Sequence, residues 1–151
     1  MKKYHTLFGK HRITASVNAF LILHDQDKIL LMLRQNTGFL DGHWGLLSGH
    51  VEFGESATQG IIREAQEELG IEISLNALRV VHVMHRKTNR INIDIFFDAI
   101  DWKGEISNQE PIKCKEIGFF SIPSFPKNTI DYNIAALKFI ALGQFYSEWG
   151  F

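Results

Sequence analysis

The chain has 151 residues, is 45% hydrophobic and 22% charged, and carries a formal net charge of -1. That length suits one globular domain with a buried core, so residues 1–151 are expected to form a single domain. A near-neutral balance supplies no basic field for gripping duplex nucleic acid, and Cys114, the only cysteine, excludes an internal disulfide and suits a reducing compartment.

No secretory leader is read at the start, and the longest apolar run, Ala19 to Leu23, is too short to cross a bilayer. A cytoplasmic protein without membrane contact is expected. Ile13 to His24 is rich in apolar and β-branched residues and reads as a strand; after the Asp25 to Asp27 turn, Ile29 to Leu33 reads as its hairpin partner. Glu55 and Ser56 offer an acid and a hydroxyl where first-turn amides lack partners, and Gly70 suits a left-handed stop, which predicts a helix from about Ser56 to Leu69. On that helix Thr58, Ile62, Ala65 and Leu69 form the expected core stripe, while Glu64, Glu67 and Glu68 share a neighbouring arc.

Strands follow from Leu78 to Arg86 and from Ile91 to Ile100, around the polar turn Lys87 to Arg90. In the second, Ile91, Ile93, Ile95, Phe97 and Ala99 alternate with Asn92, Asp94 and Asp98, which predicts a sheet with one wetter face. A polar loop from Gly104 to Lys115 leads to a short strand, Ile117 to Phe120. The stripe Ile130, Ile134, Leu137 and Ala141 then predicts a closing helix that ends near Gly143. There are no repeats, low-complexity tracts or interdomain linkers.

The three glutamates oppose local physics. Pairs at i,i+3 and i,i+4 repel by roughly 0.2–0.5 kcal/mol each, and the last turn of a helix favours cations. A solvated acidic face is the ordinary explanation of a charge run. The flanking glycines favour another: Gly49 and Gly54 allow tight turns upstream, and Ala57 and Gly60 on the acidic arc leave room for a loop or ligand to approach. A divalent cation turns the repulsion into coordination. Hard cations such as Mg2+ take oxygen ligands and bridge carboxylates to phosphates, whereas no His or Cys pair has zinc spacing.

The segment from Gly49 to Ile71 resembles the signature of the Nudix hydrolase (MutT-like) family: Gly, five residues, Glu, seven residues, Arg-Glu, an aliphatic residue, any residue, Glu-Glu, any residue, Gly, an aliphatic residue. Gly49, Glu55, Arg63, Glu64, Glu67, Glu68, Gly70 and Ile71 match; Ala65 is smaller than the usual aliphatic residue but suits a core-facing slot. The resemblance implies an α/β fold of the α+β type, a mixed sheet packed between helices as an α/β/α sandwich. It implies hydrolysis of a nucleoside diphosphate linked to another group, with Mg2+ or Mn2+ assistance. Glu67 and Glu68 are then metal ligands, Glu64 a ligand or the base that activates water, and the carbonyl of Ser48 a further ligand. Arg63 and Glu55 hold the loop against the helix, and Gly49 and Gly70 are structural. Where the family often reads Pro-Gly-Gly, this chain has Leu47-Ser48-Gly49.

Outside the signature, Glu110 and Glu116 sit where family members often supply another acidic ligand, and Glu110 is preferred. Arg34 resembles the position that meets substrate phosphate, with an exposed strand-end arginine as the alternative. His50 is a candidate phosphate contact. Trp44 and Phe39 read as packing residues, with base stacking as the alternative, and His82 and His85 fall on opposite strand faces and form no triad. A small nucleotide substrate is expected. A nucleoside triphosphate, with an intact or oxidised base, leads, giving a monophosphate and pyrophosphate; a nucleotide sugar or dinucleoside polyphosphate is the alternative. A non-catalytic nucleotide-binding module is the reading from a different class, and it is expected to lack one or more of the carboxylates present here.

Overall fold

The computed structural model describes residues 12–151. Among these, β1 (Ala15–Ile22), β2 (His24–Asp25), β3 (Lys28–Arg34), β4 (Trp44–Gly45) and β5 (Leu47–His50) precede helix α1 (Ala57–Leu69). Then come β6 (Leu78–Lys87), β7 (Ile91–Ala99), β8 (Cys114–Ser121), helix α2 (Asp131–Ala141) and β9 (Tyr146–Trp149). One sheet is ordered β5-β1-β7-β6-β9 and mixes parallel pairs (β1 with β7, β6 with β9) with antiparallel ones. The second sheet is antiparallel and centres on β3, which pairs with β2, β4 and β8.

Strand β1 lacks the apolar–polar alternation of a half-exposed strand because both of its faces are covered. Ala19 and Leu21 pack with Ile61, Ala65 and Leu69 of α1, while Phe20 and Ile22 pack with Tyr132, Ala136 and Leu137 of α2. The helices thus flank mixed sheet, as the expected α/β/α sandwich requires.

Several expectations are corrected. The hairpin between the first two predicted strands exists only at its tip, where β2 pairs with β3; β1 itself pairs with β5 and β7, because the chain crosses between sheets at Leu23. The buried stripe of α1 is Ile61, Ala65 and Leu69, with Ile62 at its margin, so it lies closer to the glutamate arc than predicted. On β7 the polar residues are the covered ones: Asn92 and Asp94 are buried and Ile91, Ile93 and Ile95 half-buried, since the polar side chains find partners on β1 and β6. The described chain closes with β9 after α2, and β4, β5 and β9 were not anticipated because each is short.

Helix α1 has the caps its sequence announces. Ser56 accepts from the Gln59 amide at 3.1 Å, Gln59 returns a bond to the Ser56 amide at 2.8 Å, and Gly70 ends the helix at φ 69°. Ser56→Ala should destabilise the fold by about 1 kcal/mol, read as a lower urea midpoint at unchanged slope.

Candidate active site

The loop from β5 into α1 is closed by one arginine. Arg63 Nε and Nη2 grip both oxygens of Glu55 at 3.1 and 2.9 Å, and Nη2 also donates to the His50 carbonyl at 3.3 Å. Glu55 accepts from the Glu52 amide as well, at 2.8 Å. The Arg63 guanidinium and that amide hold the Glu55 carboxyl down at about 2. A side chain at Gly60 would press on Glu55, at 2.9 Å from Cβ to Oε1, so this helical glycine is where the loop docks. These contacts agree with the structural role expected for Glu55 and Arg63. Gly49 differs from expectation: it lies within β5 rather than at a turn, and its missing side chain is the space that the Glu64 carboxyl fills.

Arg63 Nη1 faces the acidic arc, donating to Glu64 at 2.9 Å and to Glu67 at 3.2 Å. Glu67 is half exposed, whereas only 14% of the Glu64 side chain is accessible. Burial raises the Glu64 carboxyl above its ordinary value, with Glu67 and Glu110 adding to the effect and Arg63 opposing it. Glu68 is pushed up to about 8, by burial first and then by the charges of Glu64 and Glu110, with Arg34 opposing. Four acids are thus gathered here, with Arg63 bonded to Glu64 and Glu67, Lys113 4.0 Å from Glu110 and Arg34 facing Glu68.

Glu68 and Glu110 line a cavity of about 300 Å3 together with Arg34, Ser48, Lys113 and Cys114. Glu116 is exposed on β8, paired with Leu33, and lines neither cavity described here. Of the two alternatives in that loop, the fold brings Glu110 to the acids. Arg34 leaves β3 toward them, held by Nε to the Phe39 carbonyl at 2.9 Å and Nη2 to Thr37 Oγ1 at 3.2 Å. It also lines a second cavity of about 610 Å3, and Thr37 and Ser48 belong to both. His50 lines this larger space, its Nδ1 2.6 Å from Asn18 Oδ1.

Trp44 packs edge-on against Phe120, 5.0 Å between ring centroids, as expected. Phe39 is 49% exposed at the larger cavity, with the Arg34 guanidinium over its ring, 5.8 Å from the centroid. The remaining walls were not anticipated. Asn18, Phe20, Arg86, Asn92 and Tyr132 come from three strands and α2, and no sequence spacing links them. For Asn18, Arg86 and Asn92 the one sequence signal is a polar side chain inside a partly apolar strand.

Among the described residues no group of three or more His, Cys, Asp or Glu side chains is placed to hold a metal ion by itself. The residues present nevertheless fit a hard divalent cation. Such ions keep several waters and share a few carboxylates with substrate phosphates, so an open arc suffices. Glu64 seated on Gly49, and a Glu68 that burial and neighbouring acids drive toward its protonated form, describe an oxygen donor set short of positive charge.

The NUDIX domain family model matches residues 12–141. An ADP-ribose pyrophosphatase of Methanocaldococcus jannaschii is 32% identical over 114 residues, which is 74% of this chain and 64% of that protein. The chain thus spans somewhat less than two thirds of that relative's length. An 8-oxo-dGTP diphosphatase of Proteus vulgaris is 27% identical over 94 residues, 62% of this chain and 83% of that one. In fold, the crystal structure of a MutT NUDIX hydrolase from Burkholderia pseudomallei aligns with a TM-score of 0.75 at 23% identity, covering 83% of this chain and 97% of that chain.

The raised Glu68 value sets a pH dependence for the metal-free protein. The folded state holds a proton that the unfolded state releases near 4.5, so stability should fall as pH rises from about 4.5 to about 8. Glu68→Gln should flatten that slope and exceed wild type at pH 8 by on the order of 1 kcal/mol. Urea midpoints across that pH range, in chelator, make the measurement.

Proposed function

Because the chain belongs to the Nudix hydrolase family, we propose that it is a divalent-metal-dependent pyrophosphohydrolase acting on a nucleoside diphosphate linked to another group. The observation that carries this reading is the pair Glu68 and Glu110 at a cavity walled by Arg34 and Ser48, with Glu64 acting on Glu68 from behind it, next to a space large enough for a nucleoside.

Ser48 through its carbonyl, with Glu64, Glu67, Glu68 and Glu110, would hold Mg2+ or Mn2+, which supplies screening of phosphate charge and a more acidic water. One of the carboxylates Glu64, Glu67 and Glu68 takes the proton of the attacking water. Arg34, fixed by its bonds to the Thr37–Phe39 turn, donates to phosphate oxygens, and His50 contacts the substrate from β5. Water adds to phosphorus as the bridging P–O bond breaks, and the leaving phosphate departs with the electron pair.

A nucleoside triphosphate, with an intact or oxidised base, is the leading substrate, yielding a monophosphate and pyrophosphate. The likeness to the Proteus diphosphatase supports it. A nucleotide sugar or a dinucleoside polyphosphate is the second reading, favoured by the likeness to the archaeal ADP-ribose pyrophosphatase. A non-turnover binding module fits less well, since every signature carboxylate is present. No helix among the described residues is long and apolar enough to cross a membrane. We place the activity in one domain, residues 1–151, working on small nucleotides in the cytoplasm, where a free Cys114 stays reduced.

Excess chelator should abolish turnover, and added Mg2+ or Mn2+ should restore it and raise the melting temperature. Glu64→Gln, Glu67→Gln and Glu68→Gln should each lower kcat at least about 100-fold while leaving a folded protein. Product analysis on triphosphates, nucleotide sugars and dinucleoside polyphosphates makes the test; near wild-type rates in all three variants would overturn the carboxylate mechanism, and no turnover of any of these by the wild-type protein with metal would establish the binding module instead.

A further inference from the structure

The chemistry above leaves a buried charged pair unused at the larger cavity. Arg86 on β6 is 5% exposed and Asp94 on β7 fully buried. Arg86 Nε and Nη2 both donate to the Asp94 carboxylate, and the guanidinium lies over the Tyr132 ring, 4.1 Å from its centroid. An arginine gripped through Nε and Nη2 has given up one side of its fork. Its end remains, with parallel N–H groups on Nη1 and Nη2. Arg86 lines the cavity, and Asp94 sits behind it, outside the lining.

The Asp94, Asn92 and Asn18 oxygens beside this arginine are already engaged. Asn18 Nδ2 donates to Asp94 Oδ1 at 2.7 Å and to Asn92 Oδ1 at 3.3 Å, and Asn18 Oδ1 faces His50 Nδ1. What Arg86 itself has left to offer a ligand is a pair of donors. Stability does not explain the arrangement, because a buried ion pair gains little over well-packed apolar residues of similar volume.

Position decides which part of a ligand meets it. His50 on β5 stands opposite Asn18 on β1, and Asn18 opposite Asp94 on β7. The guanidinium over Asp94 is therefore two strand spacings, about 10 Å, from the strand at the acids. With the phosphates at β5 and α1, that separation reaches the base of a nucleotide.

We propose that Arg86, oriented by Asp94 and Tyr132, is a specificity residue that reads a base edge with two adjacent acceptors, the O6 and N7 edge of a 6-oxopurine. The inference rests on the pyrophosphohydrolase reading. Adenine places an amino donor where a 6-oxopurine has its oxygen, so one N–H of the fork meets another donor there.

The test is kcat/KM of the wild-type protein with Mg2+ on GTP, ITP, ATP and 7-deaza-GTP, and on the guanine and adenine forms of a diphosphate-linked sugar. GTP and ITP should exceed ATP by at least about tenfold, 7-deaza-GTP should fall by a similar factor, and the base order should hold for either linked group. Arg86→Lys keeps the charge beside Asp94 and removes the fork; it should bring GTP and ATP to within about threefold of each other, mainly through KM. Should that variant fail to melt cooperatively, the base series on wild type decides alone. Equal use of all bases, or a preference for adenine, overturns the inference and leaves the hydrolase reading intact. No turnover of any of these anhydrides removes both.

Discussion

The site depends on one arginine that answers several carboxylates. Arg63 ties Glu55 in the loop to the helix, bonds the His50 carbonyl on the strand, and turns its remaining nitrogen toward Glu64 and Glu67. Those acids repel one another on a helix end whose dipole favours the opposite charge. The guanidinium offsets part of that repulsion, yet Glu68 lies beyond its bonds and remains short of positive charge. Loop, strand and helix are thus set by a structural ion pair, and what that pair leaves unneutralised is what a cation and a phosphate can use.

Strand β1 extends this arrangement across the sheet. Asn18 and Phe20 stand in the wall of the larger cavity, while Ala19 and Leu21 pack beneath α1. Hydrogen bonds run from His50 through Asn18 to Asp94 and Arg86, crossing β5, β1, β7 and β6 in spatial order. The acid cluster and the far end of the cavity therefore share one rigid scaffold. A fixed separation between a charged reaction centre and a recognition point is what a nucleotide of defined length requires.

The sequence made the local elements legible and left the long-range ones hidden, for physical reasons visible in particular residues. Ser56, Gln59 and Gly70 act within a few residues of each other, so the limits of α1 follow from capping chemistry. The Glu64, Glu67 and Glu68 arc was readable from helical spacing, and the Glu55–Arg63 clamp from the resemblance to the Nudix signature. Strand β5 was not, because Ser48 and Gly49 look like loop residues until Glu64 is seen to need the space. Asn92 and Asp94 show the limit of periodicity. Alternation marks two faces, but only tertiary packing shows that the polar one is the covered one.

That inversion changes how polar residues in a strand are to be understood. Solvated, Asp94 would be an ordinary surface carboxylate; fully buried, it is tolerated only because Arg86 and Asn18 satisfy both oxygens. The same bonds fix the arginine's orientation, and Tyr132 holds its plane. A side chain with several rotatable bonds thereby becomes a rigid donor, and rigidity at the point of contact is what lets a hydrogen bond discriminate between ligands. The acids at α1 and the pair at β6 and β7 solve opposite problems by one means. Glu68 and Arg86 are each held by their neighbours and each line a cavity.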